Sequence, residues 1–234
     1  MSLAARDPEL EELMDDPDCD PKRLAATLRR FDTVNRVVSG WGTVYRRFLR
    51  PHLASLNRPA RVLDLGAGGG DLVVRLAELA ARDGFEVHWT GADPDPRAHE
   101  VAVARDAPPG VVFRRADAAD LASEGEVFDA VLSNHVLHHL GHDVGGFAEA
   151  SRLLSRGIVL HGDIARSRLA YGLYAVAVTP FAPGTFLRTD GLRSIRRSFT
   201  PLELQSELDA AAPGTWTVHA PVPFRVLAAG PGHA

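Results

Sequence analysis

Arg61-Val62-Leu63-Asp64-Leu65-Gly66-Ala67-Gly68-Gly69-Gly70-Asp71-Leu72 carries an apolar strand into a glycine turn and then into a helical pattern running from Leu72 to Ala81. Glycine permits the positive φ of a tight turn and lets a ligand approach bare backbone. The helix that follows presents unpaired N–H groups and a positive dipole end, which suit a carboxylate or phosphate. Strand, glycine turn and helix together predict a site for a nucleotide-like cofactor. A dinucleotide fingerprint would need G-x-G-x-x-G, but Asp71 holds the third glycine position. The spacing that fits is G-x-G-x-G at Gly66, Gly68 and Gly70, with Asp64 on the strand before it.

Three further strands follow. Glu86 to Asp93 ends in an acid that can accept both hydroxyls of a ribose, and Pro94-Asp95-Pro96 comes directly after it. Val111 to Ala118 ends in Asp117, whose carboxylate can take an adenine amino group while the Ala118 N–H serves a ring nitrogen. Phe128 to Val136 runs through Asn134 into Leu137-His138-His139-Leu140.

The ordered series VLDLGAGGG, TGADPDP, RRADAADL and FDAVLSNHVLHHL resembles the motifs of class I S-adenosylmethionine-dependent methyltransferases, over roughly residues 60 to 165. Arg30 to Trp41 is in addition similar to a pattern in the quinone-ring methyltransferases of ubiquinone and menaquinone synthesis. The chain departs from those enzymes at His135-Val-Leu-His-His-Leu, and more broadly resembles bacterial methyltransferases of phenolic or polyketide-derived rings. The resemblance implies a cofactor site at Asp64, Gly66, Gly68, Gly70, Asp93, Pro94, Asp117, Ala118 and Asn134. Adenosylmethionine would be the cofactor and adenosylhomocysteine the product. The glycine turn would lie against the methionine portion, Asp93 at the ribose and Asp117 with Ala118 at the adenine.

Methyl transfer to a phenol or an activated ring carbon is helped by a base near the acceptor, and histidine has a suitable pKa. The candidates are His139, His138 and His135 after the fourth strand, with His161 and Asp163 at the end of the fifth as second choice. The same histidines could instead cap a helix or line the pocket. No matching acids stand beside them in sequence, so no metal is expected. Trp41, Tyr45, His161, Tyr171 and Tyr174 are the expected substrate pocket, since such pockets are mostly apolar and aromatic.

The alternation of strand and helix predicts an α/β, Rossmann-like, doubly wound sheet of seven mostly parallel strands. Trp216–Val218 and Phe224–Ala229 would form an antiparallel edge pair. Residues 1–57 read as an N-terminal helical extension, its first 20 residues a short helix or loose arm, and 58–234 as the methyltransferase domain. A lid-like insertion is expected near 166–198, and a helix at Pro201–Ala211 with Thr200 as its N-cap. Basic residues of the 21–57 segment, Arg29, Arg30, Arg46 and Arg47 among them, read as a solvated face.

The 234 residues with 45% apolar content suit one such domain. A net charge of −4 argues against general nucleic-acid binding. The single Cys19 and the acidic N-terminus suggest a cytoplasmic protein without disulfides or a secretion signal. The longest apolar run, Leu169 to Val178, is too short for the ~20 residues of a membrane span. The expected partner is a small aromatic substrate, with a homodimer possible. O-methylation of a phenolic acceptor is the leading expectation and C-methylation of a quinone or hydroquinone ring the alternative. A non-catalytic adenosylmethionine-binding protein or a nicotinamide-dependent oxidoreductase are further alternatives.

Overall fold

The computed structural model describes residues 3–233; the side chains of Asp32, Arg36, Val37 and Val38 lie outside the described set, and with them part of the helical face expected there. Asp20 opens the first helix, α1 (Pro21–Val38), accepting from the N–H groups of Lys22 and Arg23 with Pro21 in the first turn. α2 (Trp41–Val44), a π-helical turn over Tyr45–Leu49 and α3 (Arg50–Ala54) form one further helical stretch. It buries Trp41, Val44, Tyr45, Leu49 and Leu53 against the sheet.

β1 (Ala60–Leu65) leads through the glycine turn into α4 (Asp71–Arg82). β2 (Val87–Ala92), α5 (Pro96–Val103), β3 (Val111–Arg114), α6 (Ala118–Ser123), β4 (Phe128–Asn134), α7 (Val144–Leu153) and β5 (Ser155–Ile164) continue the alternation. The seven strands lie in the order β3-β2-β1-β4-β5-β7-β6, completed by β6 (Thr217–His219) and β7 (Arg225–Pro231). β1 to β5 are parallel, and β7 runs antiparallel between β5 and β6. The sheet is the one expected, edge pair included. Its order reverses at β1/β4, so the carboxyl ends of these two strands flank a crevice where open α/β sheets bind ligands.

β1, buried at five of its six positions, reads as an apolar run because helices cover both faces. One core layer joins α2 to α4 and the sheet through Trp41, Leu76 and Trp89. The other joins the sheet to α7 and α10 (Pro201–Ala211) through Phe128, Leu154, Leu204 and Trp216. α10 begins where expected, Thr200 and Glu203 forming a reciprocal capping box.

Two expectations need correction. Between β5 and α10 the chain forms α8 (Arg168–Ala177), a 3-10 turn at Thr179–Phe181 and an unforeseen helix, α9 (Leu187–Arg197). Residues 3–20 are neither a helix nor loose. The Asp190 carboxylate accepts from the N–H groups of Leu13 and Met14 at 2.9 and 3.0 Å, and Arg97 donates to the Asp16 carbonyl at 2.9 Å. Arg6 donates to the Gly141 carbonyl at 2.6 Å and Arg166 to that of Leu3 at 3.2 Å. Backbone without a regular ladder is satisfied here by side chains of the body.

Candidate active site

The glycine turn adopts the conformation its sequence requires, with φ of +71° at Gly66, +54° at Gly68 and +78° at Gly70. A Cβ at Gly66 would stand 2.6 Å from Val136 and one at Gly70 2.5 Å from Phe113, whereas one at Gly68 would meet nothing closer than 4.0 Å. Gly66 and Gly70 are thus needed for packing as well as for the turn, and Gly68 leaves the backbone open to a ligand. The Gly68 N–H donates to Asp93 Oδ2 at 2.8 Å, and the Asp95 N–H to Asp93 Oδ1 at 2.9 Å. One carboxylate therefore ties the turn after β1 to the loop after β2.

A cavity of about 1310 Å³ opens at this point. Asp64, Gly66, Gly68, Asp93, Pro94, Asp117, Ala118 and Asn134 all line it, at the ends of β1 to β4; Gly70 does not, its place being against Phe113. Asp64 is buried, and its Oδ1 has no hydrogen-bond partner. Burial, with the nearby charges of Asp71 and Asp93, raises its carboxyl well above the ordinary range. Asp93 is raised for the same leading reason, opposed by its two N–H donors. Asp117 caps α6, accepting from the Asp120 N–H at 2.9 Å.

From the loops at the ends of β1 to β4 the cavity runs beneath Leu24, Leu28 and Phe31 of α1 and Ala170, Leu173 and Tyr174 of α8. Its far end is polar. His135, on a left-handed φ of +62°, follows Asn134; such a conformation in a non-glycine residue is held only by its surroundings. Arg225, buried at the start of β7, donates to Asn134 Oδ1 at 2.8 Å and to His135 Nε2 at 3.2 Å. Burial and the Arg225 charge hold the His135 imidazole well below its ordinary pKa. With Nε2 accepting from Arg225, its proton sits on Nδ1 and no basic nitrogen is left.

His138 is 1% exposed. Its Nδ1 lies 2.8 Å from Asp163 Oδ1, its own N–H donates to Asp163 Oδ2 at 2.9 Å, and its Nε2 lies 3.3 Å from Glu12 Oε1. Burial opposes a charge on this ring, but the carboxylates of Asp163 and Glu12 outweigh it and push the imidazole up to about 9. The same pairing holds Asp163 below the ordinary carboxylate range against the effect of burial. The expectation of a base at His138 or His135 finds no support in this geometry: both ring nitrogens of His138 face carboxylates, and His135 Nε2 accepts from Arg225 while its Nδ1 lies 4.0 Å from Asp163 Oδ1. His139, 30% exposed, places Nδ1 3.3 Å from Asp15 Oδ2 and Nε2 3.9 Å from Glu12 Oε1.

Four of the five expected pocket residues lie elsewhere. Trp41 is core, packed on Gly162, where a Cβ would approach its ring within 3.2 Å. Tyr45 is buried and donates its hydroxyl to Asp83 at 2.8 Å. His161 is enclosed between Phe147 and Trp216, a ring nitrogen 2.8 Å from Ser133 Oγ, and burial holds its imidazole down at about 3. Tyr171 is half-buried outside the cavity. For Trp41, Tyr45 and His161 the ring is used for packing where sequence suggested a substrate contact. Tyr174 does line the cavity, and its hydroxyl donates to the Leu187 carbonyl at 2.7 Å, pinning α8 to α9.

Glu12, Asp15, Arg197 and Arg225 were not foreseen as site residues. Nothing local marks them; they meet the histidines only because the N-terminal arm, α9 and β7 converge on the end of β4.

A family model described as "Methyltransferase domain" matches residues 62–157. The ubiquinone biosynthesis O-methyltransferase of Rhizobium leguminosarum bv. trifolii (strain WSM2304) is 34% identical over 157 residues, 64% of this chain and 58% of the relative. That of Mesorhizobium japonicum (strain LMG 29417 / CECT 9101 / MAFF 303099) is 38% identical over 117 residues, 48% and 44% of the two chains. The chain thus spans less than two thirds of the length of these relatives. Among solved structures, the plantazolicin methyltransferase BpumL in complex with a pentazolic desmethylPZN analog and SAH superposes with a TM-score of 0.63 at 14% identity, over 95% of this chain and 97% of that one. The DszA carbon methyltransferase gives 0.56 at 15% identity, over 79% and 50%. At such identities the likeness is one of fold.

Proposed function

We infer that this chain, a class I S-adenosylmethionine-dependent methyltransferase domain with partial sequence similarity to bacterial ubiquinone-biosynthesis O-methyltransferases, methylates a small aromatic acceptor, on a phenolic oxygen. The observation that carries this is one continuous cavity joining the glycine turn, Asp93 and Asp117 to an apolar chamber under α1 and α8. At about 1310 Å³ it exceeds the ~300–1,000 Å³ of a site for one small ligand, and so has room for a cofactor and an acceptor together.

The residues present fit adenosylmethionine. Its ammonium would supply the partner that the buried Asp64 carboxyl lacks, and the bare backbone at Gly68 admits the methionine portion. Asp93 and Asp117, at the ends of β2 and β3, line the same cavity and would take the ribose and the adenine amino group. The cofactor supplies an electrophilic sulfonium methyl. What the chain must do is hold the acceptor oxygen in line with that methyl, at a near-attack distance of ~3–3.5 Å, and keep water out. Leu24, Leu28, Phe31 and Leu173 give the chamber an apolar wall for an aromatic ring. α8 and α9, within residues 166–198, act as its lid, and the N-terminal segment closes the other side. The names of the sequence relatives favour oxygen over ring carbon.

Calorimetric titration with S-adenosylhomocysteine, beside NAD, tests the reading. Micromolar-range binding of the former alone, lost in Asp93→Ala, is expected. Comparable NAD binding, or none of the homocysteine compound, would overturn it.

A further inference from the structure

The chamber's polar end holds an arrangement that methyl transfer by itself does not require. His138 and His139 turn their Nε2 atoms toward one oxygen, Glu12 Oε1, at 3.3 and 3.9 Å. Each ring has its other nitrogen on a carboxylate: His138 Nδ1 lies 2.8 Å from Asp163 and His139 Nδ1 3.3 Å from Asp15. Carboxylates placed behind two imidazoles in this way orient the rings, so that a metal ion displacing the Nε2 protons would meet both Nε2 atoms and the Glu12 oxygen together.

We propose that Glu12, His138 and His139 bind a divalent transition-metal ion of the zinc class. Two imidazoles and a carboxylate are a donor set suited to zinc, manganese or iron rather than to magnesium or calcium, which prefer all-oxygen surroundings. A tetrahedral ion with ligands at ~2.0–2.1 Å sets its donor atoms about 3.3–3.4 Å apart. The distances to Glu12 approach that spacing, and the three donor atoms all lie within 4.8 Å of one another. Glu12 and His138 are almost wholly buried, and all three residues line the cavity, so an open coordination position would face the chamber.

A second grouping, His135, His138 and Asp163, is less suitable. There the donor nitrogen itself is taken, since His135 Nε2 accepts from Arg225 at 3.2 Å, whereas at the first site the cation nearest Glu12 Oε1, Arg197, stands 3.8 Å away and Ser194 Oγ donates to the same oxygen at 2.7 Å. On the methyltransferase reading, the open position would take an acceptor hydroxyl oxygen; the site itself does not depend on that reading.

The test uses the untagged full chain, stripped with chelator and titrated with Zn²⁺ and Co²⁺ in a calorimeter, with metal content measured on protein as purified. One ion per chain is expected. Glu12→Gln and His139→Ala should weaken binding more than about 100-fold, and Asp15→Asn by about 10–100-fold. His135→Asn should leave binding unchanged. The Co²⁺ spectrum of the unmodified chain, which needs no variant to fold, should show tetrahedral absorption. No stoichiometric ion, equal affinity in Glu12→Gln, or loss confined to His135→Asn would overturn the proposal. Adenosylhomocysteine titrated into the same samples separates the two readings, since metal binding without it upholds this site and overturns the methyltransferase assignment.

Discussion

Asp64 carries the sharpest consequence at the scale of a residue. Its carboxyl is raised by burial and by two neighbouring acids, so the folded chain holds a proton there that the unfolded chain releases. A raised carboxyl costs stability as pH climbs through its folded value, and Asp64→Asn should remove that cost. The variant is expected to melt no lower than the parent at pH 8. Its adenosylhomocysteine affinity should nevertheless fall by about 10-fold or more, the worth of a charge-assisted hydrogen bond of ~1.5–3 kcal/mol. In the parent, that affinity should strengthen with rising pH as Asp64 ionises. Calorimetry across a pH series checks this, and a flat series would remove Asp64 from the cofactor's contacts. That the ends of β1 to β4 would meet at one cavity was legible in sequence, because strand ends and glycine spacing place those residues by local rules. Trp41, Tyr45 and His161 were misread because sequence does not say which face of an aromatic residue meets solvent, and these three meet the core.

Among elements, one polar contact ties α8 to α9. Tyr174 reaches from α8 to the Leu187 carbonyl and lies so close to Gly191 that a Cβ there would come within 2.2 Å of its hydroxyl. Tyr174→Phe should cost about 1 kcal/mol of stability and loosen α8 on α9. A raised KM for acceptor with unchanged adenosylhomocysteine affinity is the expected signature, read by steady-state kinetics beside calorimetry. Loss of cofactor affinity instead would place Tyr174 outside the lid. α9 itself was hidden in the sequence by Pro180, Pro183 and Gly191 and by a surface rich in arginine, signals that ordinarily mark a loop. It is held as a helix by what it packs on: Ile195 and Leu187 are buried, and Asp190 is tied to the arm. The arm read as a short helix or loose segment for the same reason, since the partners of its backbone and charges lie far away in the chain.

For the molecule as a whole, Asp129 is the fastening at the opposite end of the sheet. Its buried carboxylate accepts from the Arg61 N–H and Arg156 Nε, both at 2.8 Å, and from the Arg58 guanidinium. These donors outweigh burial and hold it below the ordinary carboxylate range. The stability it contributes is therefore fully present above the unfolded carboxylate pKa of about 3.9, and is lost as pH falls below that toward the folded value. Because the two arginines are largely exposed, screening lowers the effect, and Asp129→Asn should cost about 1–2 kcal/mol at pH 7. Thermal melts should show the gap between parent and variant closing below about pH 4. A constant gap would mean that the charge is not what fastens β4 to its neighbours.

The docking of residues 3–20 onto α9 also bears on the order in which a growing chain becomes competent. Glu12 and Asp15 leave the ribosome early, yet Ser194 and Arg197, which hold them, follow more than 180 residues later in the sequence. The central strands can pair while synthesis continues, but the far end of the chamber stays unfinished until α9 has emerged. The last strand, β7, then brings Arg225 to Asn134 and His135. Closing so long a loop costs little more entropy than closing one half its length, so the delay is a matter of timing rather than of stability. A nascent chain stalled before α9 would carry the glycine turn, α1 and α8, and lack the residues of α9 and β7 that complete the polar end of the cavity.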